Sequence, residues 1–199
     1  MKTVECVPNF SEGRDRSKIG EITSAIESVA GVVLLDVDRG EGANRTVVTF
    51  VGAPAAVEEA AFRGIEAAAR VIDMRRHAGS HPRIGATDVC PFVPVGGVTM
   101  EECVEIARRL GRRVGDDLGI PVYMYEAAAS TPARRSLADI RAGEYEGLAA
   151  KLRDPAWRPD FGPAAMNPAA GATVIGARKF LVAYNVNLDS DRIEAAREI

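Results

Sequence analysis

The two histidines of this 199-residue chain lie in one short segment, RRHAGSHPRIGATD, which covers residues 75–88. Histidine titrates near neutral pH, so it can accept a proton in one step of a reaction and return it in the next. The glycines and the proline of the segment disfavour a regular helix or strand and predict a structured loop, where catalytic residues often lie. Arg83 and Asp88 are close enough in sequence to orient His81. His81 is therefore a candidate general acid–base, although a histidine held only by backbone hydrogen bonds fits the same pattern.

A metal site is the alternative interpretation of the histidines. His77 and His81 form an H-x₃-H pair, which binds metals when it lies on a helix. Here Gly79 and Pro82 break such a helix, and the sequence shows no further cluster of metal-binding residues to complete the site. The three cysteines, Cys6, Cys90 and Cys103, are far apart in sequence and lie in apolar surroundings. This predicts reduced core thiols rather than disulfides or metal ligands. We therefore expect no metal.

Two further segments place polar side chains directly after predicted strands. VPNFSEGR contributes Asn9, Glu12 and Arg14, and DVDRGEGANRT contributes Asp38, Asn44 and Arg45. Turn chemistry accounts for Asn44 but leaves the two arginines unexplained. Because the guanidinium fork pairs bidentately with carboxylates, Arg14 and Arg45 are candidate ligands for a carboxylate-bearing substrate. Asn44 is included with them as a candidate substrate- or folate-binding residue.

Composition and charge argue against several classes of function. The chain is 47% hydrophobic with a formal net charge of −3, and its charges are mixed in sign. It has no basic stripe interleaved with aromatic residues, so a nucleic-acid partner is not expected. No apolar run approaches the roughly 20 residues that span a bilayer, and the first residues lack the layout of a signal peptide. We expect a cytoplasmic protein with no membrane partner.

The hydrophobic pattern predicts a β-α-β-β-α-β order for the first half of the chain. The elements are a strand at 3–7, a helix from Ser11 to Gly31, strands at 32–39 and 45–52, a helix at 54–72, and a strand at 88–95 whose prolines indicate an edge or a bulge. Asp36 and Asp38 share one face of the second strand. This order is that of the ferredoxin-like fold, so we predict an α+β protein with a βαββαβ core and additional helices and strands.

The second half predicts further elements and a long irregular segment. A helix from a Thr99–Glu102 capping box to Leu118, a strand at 121–126 and helices near 133–140 and 144–153 precede a Pro- and Gly-rich stretch at 154–172. Loops of that length are commonly functional. GATVIGARK lacks the Gly-Lys-Ser/Thr of a phosphate loop. A predicted strand at 179–188 and the start of a helix at 190–199 suggest that a second domain begins at 179.

Several stretches together carry a resemblance to a known family. They are VECVPNFSEGR, LLDVD, NRTVVTFVG, IDMRRHAGSHPRIGATDVCPFVPVGGVTMEEC, LGIPVYMYEAA, IRAGEYEGL, WRPDFGP and GATVIGARKFLVAYNVNL. In this order and spacing the chain resembles the formiminotransferase domain of glutamate formimidoyltransferase, also found in formiminotransferase-cyclodeaminase. The resemblance implies transfer of a formimino group from N-formimino-L-glutamate to the co-substrate tetrahydrofolate, in histidine degradation and one-carbon metabolism. It also implies that His81, in the His-Pro-Arg motif, is catalytic, with Arg83 or Asp88 orienting it.

The resemblance further implies a folate-contacting segment and a second half-domain. The segment comprises Gly162, Pro163, Ala164, Ala165, Met166, Asn167, Pro168, Ala169, Ala170 and Gly171, and its AAMNPAAG is less aromatic than the family version. The family domain has two α/β halves flanking a folate-lined cleft. Residues 1–178 correspond to the N-terminal half and 179–199 to the start of the C-terminal half. We therefore expect a homo-oligomer or a partner chain that supplies the C-terminal half. A folate-binding or assembly module without turnover is the alternative.

Overall fold

A seven-stranded mixed sheet organises the fold, and the computed structural model describes residues 2–182, 189–190, 192 and 194–195. The strands are Thr3–Cys6 (β1), Asn9–Phe10 (β2), Val32–Gly40 (β3), Arg45–Gly52 (β4), Thr87–Gly96 (β5), Val122–Glu126 (β6) and Thr173–Ala177 (β7). The α-helices of the described residues are Arg16–Glu27 (α1), Pro54–Val71 (α2), Met100–Leu118 (α3), Leu137–Arg141 (α4) and Glu144–Lys151 (α5).

The predicted βαββαβ core is present. β1 and β2 are two pieces of one strand, because Pro8 cannot donate to a ladder, and both pieces pair antiparallel with β4 on one side and β5 on the other. β3 pairs with the other edge of β4. The resulting order, β3–β4–β1/β2–β5, is the ferredoxin-like order, and the predicted α+β class is confirmed.

β5, β7 and β6 form a parallel extension of this core. The sequence pattern placed a strand at 179–188, but the strand that enters the sheet is β7, within GATVIGARK. The pattern missed β7 because its Gly176 has low strand propensity, and the structure explains the glycine: a Cβ there would lie 2.4 Å from a ring carbon of Tyr125. Residues 179–182 are not in a strand, and residues 183–188 lie outside the described part, as does most of the predicted terminal helix.

The start of α1 differs from the sequence prediction in a way that matters for the site. The N-cap is Asp15, whose carboxylate accepts the N–H groups of Ser17 and Lys18, and the helix ends at Glu27 rather than at Gly31. The predicted cap, Ser11, instead donates its hydroxyl to the carbonyl oxygen of Gly85 at 2.7 Å. Residues 11–15 are therefore a polar loop that contacts the end of the histidine segment.

Strand β5 is central in the sheet, with neighbours on both sides, so the edge interpretation of its prolines is wrong. The bulge interpretation is confirmed at Pro94, where the register with β1 leaves Val95 as an extra residue. A second bulge lies at the start of β5. The register shifts between the pairs Asn9–Val89 and Phe10–Thr87, which leaves Asp88 as an extra residue. A bulge re-aims the side chain of its extra residue, and bulges are common beside active sites. Asp88 is 2% exposed.

The helices cover the two faces of the sheet unequally. α1, α2 and α3 cover one face, with Phe10, Phe50 and Phe92 in the core beneath them. α4 and α5 pack on the other face near β6, β7 and Val89 at the start of β5. Among the described residues, no helix covers that face of β3, where Val33 and the bulged Leu35 are 57% and 56% exposed. None of the described helices has both the length and the apolar character needed to cross a membrane.

Local features predicted for α3 and for the cysteines are confirmed. Thr99 and Glu102 form the capping box that begins α3. All three cysteines are buried free thiols, and those of Cys6 and Cys90 lie on neighbouring strands with their sulfur atoms 3.5 Å apart. Burial raises the pKa of the Cys6 thiol well above its ordinary value, so the thiol stays protonated.

Candidate functional site

The loops that carry the candidate residues meet at one end of the sheet. They are residues 11–15 after β2, 41–44 between β3 and β4, 72–86 before β5, 142–143 between α4 and α5, and 158–172 before β7. Backbone hydrogen bonds join them: the N–H of Ser11 donates to the carbonyl of Ala86 at 2.9 Å, and the N–H of Ala86 donates to the carbonyl of Ala170 at 2.8 Å. The site is thus assembled from segments that are distant in sequence.

Two glycines allow residues 72–86, the histidine loop, to approach their neighbours closely. A Cβ on Gly79 would lie 2.3 Å from the carbonyl oxygen of Ala43, and a Cβ on Gly85 would lie 2.1 Å from that of Ala172. Neither position has room for a side chain. These contacts fix the loop against the β3–β4 turn on one side and against the start of β7 on the other.

His81 is held by a backbone carbonyl. Its Nδ1 lies 2.7 Å from the carbonyl oxygen of Pro82, and because a carbonyl only accepts, Nδ1 carries the proton of the neutral ring. Nε2 is then the proton-accepting nitrogen. Burial lowers the pKa of His81, as do the positive charges of Arg45 and Arg141, against the opposing effects of the Pro82 bond and Asp88. The ring is therefore a neutral base near pH 7.

Arg83 joins the histidine loop to α5. Its Nη1 donates to Glu144 and Glu146 at 2.8 Å each, its Nη2 donates to Glu146 at 2.7 Å, and its side chain is 9% exposed. Its Nε donates to Nδ1 of His77 at 3.2 Å. The structure therefore gives Arg83 a bracing contact rather than a direct contact with His81.

His77 and Asn44 complete this bracing. Since Nδ1 of His77 accepts from Arg83, its Nε2 carries the proton and donates to the carbonyl of Asn44 at 3.0 Å. The amide of Asn44 accepts from the N–H of Gly13 at 2.9 Å and donates to the carbonyl of Ala78 at 3.0 Å. Asn44 is 8% exposed, so its side chain links three loops instead of presenting itself as a surface ligand.

Asp88 contacts Arg141, which the sequence did not single out. The carboxylate of Asp88 accepts the N–H of Ile84 at 3.0 Å and forms an ion pair with Arg141, whose Nε lies 3.4 Å from Oδ1. The sequence signal for Arg141 is weak: it is one arginine at the end of a five-residue helix, 53 positions from its partner. The fold alone brings this cation to the site.

The two arginines singled out from the sequence differ in their relation to His81: the charge of Arg45 lowers the pKa of His81, and Arg14 is not among the groups that shift it. The Nε of Arg45 donates to Oδ1 of Asn9 at 2.9 Å. Burial lowers the pKa of Arg45, and the charge of Arg141 lowers it further. Arg14 is exposed and its Nε donates to the carbonyl of Glu41 at 3.0 Å, on the β3–β4 turn.

Residues 162–171 lie beside the histidine loop. The Asn167 side chain accepts the N–H groups of Ala169 and Ala170, and the Ala169 carbonyl accepts the N–H of Met74 at 2.8 Å. The first four residues, 162–165, are exposed. The second half of the segment is thus docked firmly and the first half is open to solvent.

Space for a ligand exists on this end of the sheet. One cavity of about 490 Å³ borders His77 and Arg83, and another of about 310 Å³ borders Pro82 and Arg141. In the described part of the chain, no three His, Cys, Asp or Glu side chains come together as a metal-ligand set. The expectation that the protein needs no metal stays a prediction.

Comparison with known proteins agrees with the family resemblance. A family model for the N-terminal subdomain of the formiminotransferase domain matches residues 3–178. The chain is 57% identical over 194 residues to a formimidoyltransferase-cyclodeaminase of Sus scrofa, covering 98% of this chain and 36% of that relative. It is 52% identical over 201 residues to a glutamate formimidoyltransferase of Thermoplasma acidophilum, covering 100% of this chain and 66% of that relative. The chain thus spans about a third of the first relative and 66% of the second, and it belongs to the formiminotransferase family through the N-terminal subdomain of that domain.

Proposed function

We propose that the protein takes part in formimino transfer from N-formimino-L-glutamate to tetrahydrofolate, with His81 as the general acid–base. The observation that carries the proposal is the hydrogen bond from Nδ1 of His81 to the Pro82 carbonyl, which leaves Nε2 as the basic nitrogen. The relatives named glutamate formimidoyltransferase supply the reaction class.

The chemistry requires two proton transfers that one histidine can perform. N5 of tetrahydrofolate attacks the formimino carbon, a nitrogen–carbon bond forms, and Nε2 of His81 takes the proton that N5 loses. The same proton then passes from Nε2 to the glutamate nitrogen, and the bond between that nitrogen and the formimino carbon breaks. The products are 5-formimino-tetrahydrofolate and glutamate. Burial of the ring disfavours the imidazolium, so the proton is returned readily.

Residues 162–171 are proposed to contact the folate. The support is their position next to residues 84–86 and the exposure of residues 162–165. Residues 1–178 are proposed as the N-terminal subdomain and 179–199 as the start of a C-terminal one. The transfer is proposed to need that C-terminal half, supplied by the same polypeptide, a second copy or a partner chain.

Exposed apolar side chains support a partner for this chain. Val33 and Leu35 of β3, together with Phe180, Leu181 and Val182, are each more than half exposed. Apolar patches of this kind commonly mark interaction surfaces. A cleft that positions two substrates needs two walls, so we expect the chain alone to bind folate weakly and to catalyse transfer poorly.

The test compares His81→Ala with His77→Ala, each assayed for formimino transfer with the C-terminal half present. His81→Ala should lower the rate by about 10²-fold or more, because general acid–base catalysis contributes that much. His77→Ala, which removes a bracing contact, should have a far smaller effect on the rate per folded molecule. Equal losses in the two variants, or full activity of His81→Ala, would contradict the role of His81.

The alternative, a folate-binding or assembly module without turnover, gives a different result in the same assay. Such a protein binds tetrahydrofolate but shows no transfer, and adding the C-terminal half does not restore it. The observation that favours this alternative is that the chain spans only part of each relative.

A further inference from the structure

We infer that Arg45 and Arg141 form a binding site for the α-carboxylate of the formimino donor, beside His81. The identity of the ligand rests on the proposed function, whereas the pairing of the two arginines is a feature of the fold. Neither arginine is a surface cation in a solvated pair: each is fixed by a side chain that is at least nine-tenths buried.

The two guanidinium groups are anchored at adjacent positions on neighbouring strands. Arg45, the first residue of β4, donates to Asn9 at 2.9 Å. Arg141, the last residue of α4, is bonded to Asp88. Asn9 pairs with Val89, and Val89 directly follows Asp88 in β5. The anchors are therefore neighbours across one ladder, and the charge of Arg141 acts on Arg45, so the two guanidinium groups belong to one site and can offer their remaining N–H groups to one anion.

The site has an excess of positive charge. Asp88 provides the carboxylate partner of Arg141, whereas Arg45 is anchored by the neutral amide of Asn9. The charge of Arg141 lowers the pKa of Arg45, and neither Asp88 nor Asp38 offsets the combined effect of that charge and burial. A half-buried cation in this situation is stabilised by a bound anion.

The chemistry of the substrates selects the anion. In N-formimino-L-glutamate the reacting nitrogen and the α-carboxylate are attached to the same carbon, and the γ-carboxylate is three carbons further along. The carboxylates of folate are at the opposite end of that molecule from its reactive N5. A carboxylate bound next to a histidine that protonates the glutamate nitrogen is therefore the α-carboxylate of the donor. A cavity of about 310 Å³ borders Arg141 and Pro82, the residue that follows His81.

The test uses two probes that differ only in which carboxylate is free. N-acetyl-L-glutamine keeps the α-carboxylate, and N-acetyl-L-isoglutamine keeps the γ-carboxylate, and neither can transfer a formimino group. Ring-proton NMR follows both histidines of the chain during titration. N-acetyl-L-glutamine should raise the pKa of His81, since a bound anion offsets the two positive charges that lower it, and should leave the signals of His77 unchanged. N-acetyl-L-isoglutamine should change neither.

Two variants and a control test the arginines. Arg45→Gln and Arg141→Gln should each weaken binding of N-acetyl-L-glutamine by about tenfold or more, the value of one charge-assisted hydrogen bond. Arg45→Gln is the decisive variant, because its anchor is neutral and its loss leaves no buried charge unpaired. Arg76→Gln, which removes the same charge from an exposed side chain of the histidine loop, should bind as the parent chain does.

Binding and turnover are separate readouts, so the inference and the proposed function fail differently. The inference is overturned if the two probes act equally, if N-acetyl-L-glutamine leaves the His81 signals unchanged at its solubility limit, or if Arg45→Gln binds as tightly as the parent chain. A protein without transfer activity that binds N-acetyl-L-glutamine through Arg45 supports the carboxylate site and contradicts the proposed function alone.

Discussion

Replacing Asp88 by Asn tests how much the buried ion pair between Asp88 and Arg141 contributes to the stability of the folded chain. The side chains of Asp88 and Arg141 are 3% and 14% exposed, so their ion pair is largely removed from water. Asparagine has nearly the same shape and still accepts the N–H of Ile84, a bond of 3.0 Å. The substitution therefore removes the negative charge and little else.

The expected loss of stability follows from this geometry. Breaking a buried ion pair by removing one partner costs about 3–5 kcal/mol. The retained Ile84 bond and the partial access of Arg141 to water place Asp88→Asn near the lower end, at about 3 kcal/mol. For a domain of this size, that corresponds to a fall in Tm of roughly 6–12 °C. The pKa of His81 should fall further, because Asp88 is one of the groups that raise it.

Urea unfolding and histidine NMR measure the two effects. Glu105→Gln is the control, since it breaks an ion pair with Arg108 in which both side chains are more than half exposed, and it should cost no more than about 0.5 kcal/mol. The double variant Asp88→Asn/Arg141→Gln should be less destabilised than Asp88→Asn alone, because no unpaired charge is left buried. If Asp88→Asn unfolds like Glu105→Gln, or if the pKa of His81 rises in Asp88→Asn, the electrostatic account of the site is wrong.

Further predictions address the bracing, the loop contact, pH and metal. Arg83→Met should lower the stability by only about 1–2 kcal/mol, because Glu146 is exposed enough to be solvated. The rate of the proposed transfer, assayed with the C-terminal half present, should fall by a larger free-energy equivalent; kinetics and urea unfolding measure the two effects. Gly79→Ala should displace the histidine loop from the Ala43 carbonyl and increase amide exchange in that loop. The pKa of His81 is below its ordinary value of 6.5, so the unfolded chain binds the proton more tightly than the folded chain. The contribution of His81 to stability is therefore complete above about pH 6.5 and declines as the pH falls through the folded pKa. His81→Gln should abolish this pH dependence of stability in urea titrations at several pH values. Dialysis against a chelator should leave the Tm unchanged, and a stoichiometric zinc in untagged protein would contradict the expectation of no metal.

The sequence by itself determined the features that depend on neighbouring residues. The βαββαβ order, α2 and α3 with its capping box, and the burial of the three thiols follow from hydrophobic periodicity and local capping, which act over a few positions. The sequence also identified the segment around His81 as a loop. It did not locate β7, because Gly176 weakens the strand signal. The glycine is required there, since the ring of Tyr125 on β6 leaves no room for a Cβ.

Tertiary structure decided which polar groups meet. Arg83 was expected to orient His81, yet its partners are Glu144 and Glu146, more than 60 positions away, and Asp88 is paired with Arg141 across 53 positions. The tautomer of His81 depends on one loop carbonyl. Hydrogen bonds and ion pairs act over a few ångströms in space and leave no periodic trace in sequence, so only the folded chain determines them.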